Sequence, residues 1–101
     1  MKVRTRASAK KDLYSGYYFY EQQEVGIGDY FVNTISAEVS SLQVTAGIHS
    51  KRGKLFRVKS KFFPYWIYYS IKDNTVRVVA ILDARQSPEK IYRREKKEIR
   101  K

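Results

Sequence analysis

The chain contains no cysteine, one histidine, two prolines and one methionine in 101 residues. Without cysteine there is no disulfide, no thiolate zinc site and no cysteine nucleophile. A single histidine, His49, excludes a multi-histidine metal site and a His–His acid–base pair. No apolar run approaches the roughly 18 residues of a membrane span. The N-terminus, MKVRTRASAKKD, lacks the apolar core of a signal peptide. These absences predict a cytoplasmic protein with no metal, no cofactor and no membrane partner. One further absence is local. From Asp12 to Ser50, 39 residues, there is no lysine or arginine at all.

What is present is charge of one sign and aromatic side chains. Lys and Arg number 21 against 10 Asp and Glu, a net charge of +11. Apolar residues are 43% and aromatics 15%, too many for a disordered basic tail. The length allows one domain over residues 1–101 and one modest core, burying roughly 60–70% of the unfolded surface. The charge is unevenly placed. The first eleven residues carry five cations and no acid, and the cation-free stretch carries Asp12, Glu21, Glu24, Asp29 and Glu38. From Lys51 onward there are 16 cations and five acids. A strongly basic half joined to a mildly acidic one predicts one binding face for a polyanion: nucleic acid, ribosome, acidic protein or anionic lipid.

Hydrophobic periodicity divides the chain in the same place. Val3 between Lys2 and Arg4 reads as a short edge strand protected by cations. Ser8 reads as an N-cap, with Ala9, Leu13, Tyr17, Tyr20 and Glu24 at helical spacing, so a helix is predicted over 8–24. Gly16 within it costs about 1 kcal/mol relative to alanine. Val25-Gly26-Ile27-Gly28 breaks the pattern. Asp29 then opens a second helix, whose stripe Phe31, Ile35, Val39 and Leu42 runs to about Val44. After a polar loop the period changes to two. Lys54 to Lys59, Phe62 to Ile71 and Thr75 to Leu82 read as strands, with Pro64 near the start of the second and Lys72-Asp73-Asn74 as a hairpin loop. The third strand is apolar on both faces and is predicted to be central. Alternation puts Phe63, Tyr65, Ile67, Tyr69 and Ile71 on the core face. Trp66 and Tyr68 fall on the other, packed against a C-terminal helix. Ser87-Pro88-Glu89 reads as the start of that basic helix. The expected fold is α+β, in the order β-α-α-β-β-β-α. A small antiparallel sheet carries the N-terminal helical hairpin on one face, and the basic helix closes the chain.

Three residue patterns in this order resemble the RelE/ParE superfamily of toxins from type II toxin–antitoxin systems, the ParE-like or plasmid-stabilisation members above all. They are Glu24-Val25-Gly26-Ile27-Gly28-Asp29-Tyr30-Phe31, Arg57 followed by Phe63-Pro64-Tyr65-Trp66-Ile67-Tyr68-Tyr69, and Val79-Ala80-Ile81-Leu82-Asp83-Ala84-Arg85-Gln86-Ser87-Pro88. Asp83 stands where many relatives have histidine. The resemblance covers nearly the whole chain. It implies a growth-inhibiting toxin whose partners are a cognate acidic antitoxin and either the ribosome with its mRNA or DNA gyrase. Within the superfamily, RelE-like members cut mRNA in the ribosome, and ParE-like members inhibit gyrase without the nuclease residues.

Metal-free RNA cleavage needs a base for the 2′-OH, an acid for the leaving oxygen and cations for the phosphate. The resemblance selects Arg57, Arg85 and Tyr92 as catalytic residues of a metal-independent mRNA endoribonuclease, if the protein is one. Lys51, Arg52, Lys54, Arg57, Lys59, Arg85, Arg93 and Arg94 are the expected nucleic-acid or antitoxin contacts. Against catalysis, Arg57 reads equally as a sheet-face cation that positions phosphate or an acidic antitoxin residue, and Tyr92 as a helix residue packing on the sheet. His49, in a polar loop with no partner visible in the sequence, reads as solvated. A non-enzymatic basic RNA-binding or ribosome-associated protein remains the alternative class, and it needs only the basic face.

Overall fold

The computed structural model describes residues 1–86 and 89–100, of 99 and 100 the backbone alone. The elements are β1 (Lys2–Thr5), α1 (Ala7–Gln23), α2 (Ile27–Ser40), α3 (Leu42–Thr45), β2 (Lys51–Arg52), β3 (Leu55–Lys59), β4 (Tyr65–Lys72), β5 (Thr75–Asp83) and α4 (Glu89–Arg100). The strands form one sheet in the order β1-β5-β4-β3-β2. The α+β architecture follows the expectation, but the sheet is not wholly antiparallel. β1 runs parallel to β5, with Val3 opposite Val76. The direction follows from α1, which begins one residue after β1 and must travel back over the sheet. The start of α4 at Ser87 and Pro88 lies outside the described residues.

Other differences have local causes. α1 starts at Ala7 with Arg6 as its uncapped N-cap. Ser8 is therefore helical, and its hydroxyl donates to the Val79 carbonyl at 2.9 Å. The second helix begins at Ile27 because Gly26, at φ +97°, takes the left-handed N-cap position. It ends at Ser40 rather than Val44. The Ser41 hydroxyl donates to the Glu38 carbonyl at 2.7 Å, a local bond of the kind that competes with the helix ladder. One further turn follows as α3. β2 is two residues long and was not anticipated; it forms a tight turn onto β3 through Gly53, at φ +64°. The hairpin between β4 and β5 is made by Asp73 and Asn74, both left-handed at φ 53° and 57°. That is the backbone a two-residue type I′ turn demands, and Asn and Asp tolerate it.

Two apolar clusters sit on the two faces of the sheet. Under the helical hairpin lie Phe31, Ile35 and Leu42 with Phe63, Tyr65, Ile67, Tyr69, Val76, Val78 and Ile81. On the other face Leu55, Tyr68, Val79, Ala80 and Leu82 meet Ile91 of α4, with Trp66 half-buried beside them. The alternation along β4 thus runs as the sequence predicts. Its register against β5 slips between Tyr68 and Tyr69. Tyr68 pairs with Ala80 and Tyr69 with Val78, so Val79 bulges and joins Ala80 in the second cluster.

Close helix packing depends on two glycines. A Cβ at Gly16 would overlap the Phe31 ring, and one at Gly28 would sit 2.7 Å from the Tyr17 ring. Gly16 therefore costs intrinsic helix propensity but permits Phe31 to be fully buried. Phe31 in turn meets Tyr20, Phe63 and Tyr65 at ring-centroid distances of 4.9 to 5.1 Å. The turn between α1 and α2 is held by Glu21, whose carboxylate accepts the N–H groups of Gly26 and Gly28 at 3.1 and 2.9 Å.

Candidate functional site: a cationic sheet face

β1 ends opposite Val78, so the β5 edge from Val79 onward loses its strand partner. Side chains take over. Asp12 of α1 accepts the Ile81 N–H at 2.9 Å and pairs with both terminal nitrogens of Arg94 from α4. Glu98, one turn further along α4, pairs with Arg6 at 3.1 Å and accepts the Ser70 hydroxyl at 3.1 Å. Glu95 accepts the Lys54 N–H at 2.9 Å. The basic helix is thus clasped onto the sheet by one cation and two acids that point inward. Of its other cations, Lys90, Arg93, Lys96 and Lys97 are exposed.

Beside the start of α4, the same sheet face is open. Arg57 projects from β3 and lays its guanidinium 3.8 Å from the centroid of Trp66. The Lys59 ammonium lies 5.9 Å from the same ring. These are cation–π contacts, worth about 0.5–1 kcal/mol at exposed sites. They hold two cations over one aromatic floor, with no acidic partner among the described residues. A cavity of about 130 Å³ opens here, lined by Arg52, Arg57, Trp66, Asp83, Gln86 and Ile91 among others. Its carboxylate is already engaged. Arg85 reaches Asp83 through its backbone N–H at 2.8 Å, its Nε at 2.9 Å and a terminal nitrogen at 2.6 Å. The bound guanidinium holds the Asp83 carboxyl below its ordinary range.

The structure therefore divides the residues selected from sequence. Arg52 and Arg57 line the cavity, Lys59 flanks it, and Arg85 stands at its rim through Asp83. Lys51 lies on β2 with its ammonium 4.9 Å from the Phe56 centroid, and the Lys54 side chain is exposed in the next turn. Arg93 and Tyr92 are exposed on α4; Ile91, not Tyr92, enters the cavity. Arg94 belongs to the interior clasp, with a side chain 20% exposed. His49 is not solvated as expected. Its Nδ1 lies 2.6 Å from the Tyr69 hydroxyl, which also accepts the Gly47 N–H at 3.0 Å. Tyr69 packs under the helical hairpin, so this pair belongs to the opposite sheet face. Among the described residues no group of three or more His, Asp or Glu is placed to hold a metal ion. None of the helices described is long and apolar enough to cross a membrane.

Sequence reasoning missed Asp12, Glu95 and Glu98. Each sits at an unremarkable helical position, and only the partner across the fold reveals its work. The aromatic seat of Arg57 left a signal in hindsight. Arg57 and Lys59 are alternate residues of one strand, and Trp66 is the central residue of the next aromatic run.

No curated protein sequence matches the chain. Eight chains of solved structure match it. One of them, from the chromosomal ParDE toxin–antitoxin system of P. aeruginosa, superposes with a TM-score of 0.74 at 20% identity, over 80% of this chain and 92% of its own. At that identity the likeness speaks for the fold. The model of the ParE toxin family of the parDE type II toxin–antitoxin system matches residues 3–88. The match takes in the helical hairpin and the sheet from Val3 of β1 onward, and the chain belongs to the ParE toxin family of type II toxin–antitoxin systems.

Proposed function

We propose that this protein arrests growth by inhibiting DNA gyrase without cutting RNA, and that a cognate antitoxin neutralises it by laying an acidic segment on the Arg57 face. The observation that carries the non-catalytic reading is the Asp83–Arg85 pair. In an mRNA nuclease, Arg85 would stabilise phosphate charge and a neighbouring group would move a proton near neutral pH. Here Arg85 makes three hydrogen bonds to Asp83. Asp83 is thereby held ionised and below the range useful to a general acid. His49 faces the other cluster. Arg52, Arg57 and Lys59 remain as cations without a described acidic partner, suited to carboxylates of an antitoxin that folds on binding.

Induction of the gene is expected to stop growth, with relief by a small acidic protein encoded beside it. Purified protein is expected to inhibit supercoiling by gyrase, and induced cells to show gyrase-dependent DNA breaks with intact messages by primer extension. Ribosome-dependent message cuts that vanish with Arg85→Ala would overturn this reading in favour of a nuclease. Harmless overexpression of the folded protein, with constitutive ribosome binding, would favour the RNA-binding alternative.

A further inference from the structure

The acids of the cation-free stretch do not share one fate. Asp12 is spent on Arg94 and the Ile81 N–H, Glu21 on the Gly26 and Gly28 N–H groups, and Glu38 accepts the Lys61 N–H at 2.9 Å. Glu24 and Asp29 are exposed and flank the turn between α1 and α2. Apolar side chains collect at the same end. Among the described residues, Tyr14 is 64% exposed, Tyr18 63% and Val25 88%. Tyr14 and Tyr18 are one helical turn apart on the outer side of α1, and Val25 stands exposed in the turn that follows the extended Glu24. Lys10 and Lys11 are the last cations before it. Across the turn, Tyr30 is also half-exposed.

This patch has the composition of a protein-binding surface. Tyrosine brings a large, rigid contact area and a polar tip, and it is enriched in interface hot spots. The support beneath is stiff, since Gly16 and Gly28 seat α1 tightly on α2 and Glu21 ties the turn. An acidic antitoxin segment is electrostatically wrong for it, because Glu24 and Asp29 would repel it. The cationic sheet face suits that partner instead. A surface of exposed tyrosine edged by two exposed carboxylates suits a patch of Arg and Lys, which stack on tyrosine and pair with carboxylate.

We infer that the outer stripe of α1 and the adjoining turn, Tyr14, Tyr18 and Val25 with Glu24 and Asp29, is the surface that docks on a cationic patch of the toxin's protein target. It rests on the reading of the protein as a toxin acting on a protein, and it places target and antitoxin on different surfaces. Two double variants test it in the full-length protein: Tyr18→Ser with Val25→Ser, and Glu24→Lys with Asp29→Lys. All four side chains are exposed, so co-purification with the antitoxin is expected to match the wild type, and thermal melting to fall only by the small cost of reversing the Asp29 charge in the first turn of α2. Growth arrest is expected to be lost in both, and the concentration needed to inhibit gyrase to rise about tenfold or more, the scale of hot-spot truncations. Variants that arrest growth like the wild type overturn the inference. So do variants that still arrest growth but escape the antitoxin, which would make the stripe the antitoxin's surface. The gyrase reading fails separately, if wild-type protein arrests growth while gyrase remains active. Growth arrest by the variants then still decides the role of the stripe.

Discussion

The helical hairpin and the open sheet face differ less in how many charges they hold than in what those charges do. In the hairpin, three of five acids are turned inward or onto backbone N–H groups, and tyrosines stand where a lysine-rich surface would otherwise be. On the open part of the sheet face three cations have no acidic partner among the described residues. Arg57 and Lys59 rest on Trp66, and Arg52 stands beside them in the cavity wall. Net charge alone predicts an affinity for polyanions. Partnering decides which of those charges are still available, and it leaves an aromatic, mildly acidic surface at one place and a cationic one at another.

The comparison breaks most severely if the hairpin loses its anchor. Phe31→Ala is expected to cost about 3–5 kcal/mol, as for large core truncations. Gly16→Val, which drives a side chain into the Phe31 ring, should cost about 1–3 kcal/mol. Urea denaturation with helical circular dichroism checks both. A loss under 1 kcal/mol for Phe31→Ala would mean that the hairpin does not depend on this contact. The clasp between the two regions comes next. Asp12→Ala leaves the largely covered Arg94 without its partner and frees the Ile81 N–H, and it should cost about 3 kcal/mol, the low end for a broken buried pair. The same denaturation measures it, and protease sensitivity near α4 should rise.

Smaller effects sharpen the contrast in binding. Arg57→Ala is expected to leave stability within about 1 kcal/mol, the scale of an exposed cation–π contact. The proposed antitoxin complex should nevertheless weaken, with a shallower dependence on salt. Calorimetry at two ionic strengths reads both quantities. The smallest effects are in pH. The folded Asp83 pKa is depressed by Arg85, so its contribution is present above the unfolded value and is lost as pH falls through the folded one. Asp83→Asn should therefore flatten the acid limb of stability below about pH 4. At the other limb, burial pushes the Tyr65 phenol up to about 12. A raised folded pKa means stability lost as pH climbs from about 10. Tyr65→Phe should remove that part of the alkaline loss, with phenolate absorbance as the readout.

Much of this fold was legible because its elements are strongly periodic. The stripe from Phe31 to Leu42 and the alternation from Phe63 to Ile71 each bury the side chains their period indicates. Asp73-Asn74 marks its own turn. The parallel pairing of β1 was not legible, because a four-residue strand carries no signal of direction. The site was legible in part. Arg52, Arg57 and Lys59 do share a cationic face, whereas Arg94 has the same charge and helix as its exposed neighbours and differs only in pointing at Asp12. His49 looked unpartnered because Tyr69, 20 residues away, is brought to it by the sheet.

The sequence by itself determined the α+β class, the two faces of β4, the asymmetry of charge and the ParE likeness. All of these rest on residue type and local period, which no distant contact can alter. Only the tertiary structure decided which charges remain free. An ion pair forms between groups that the chain separates by 82 positions, as Asp12 and Arg94 are. Short-range patterns hold no record of such a meeting, so the surface left over for partners becomes known only once the chain has folded.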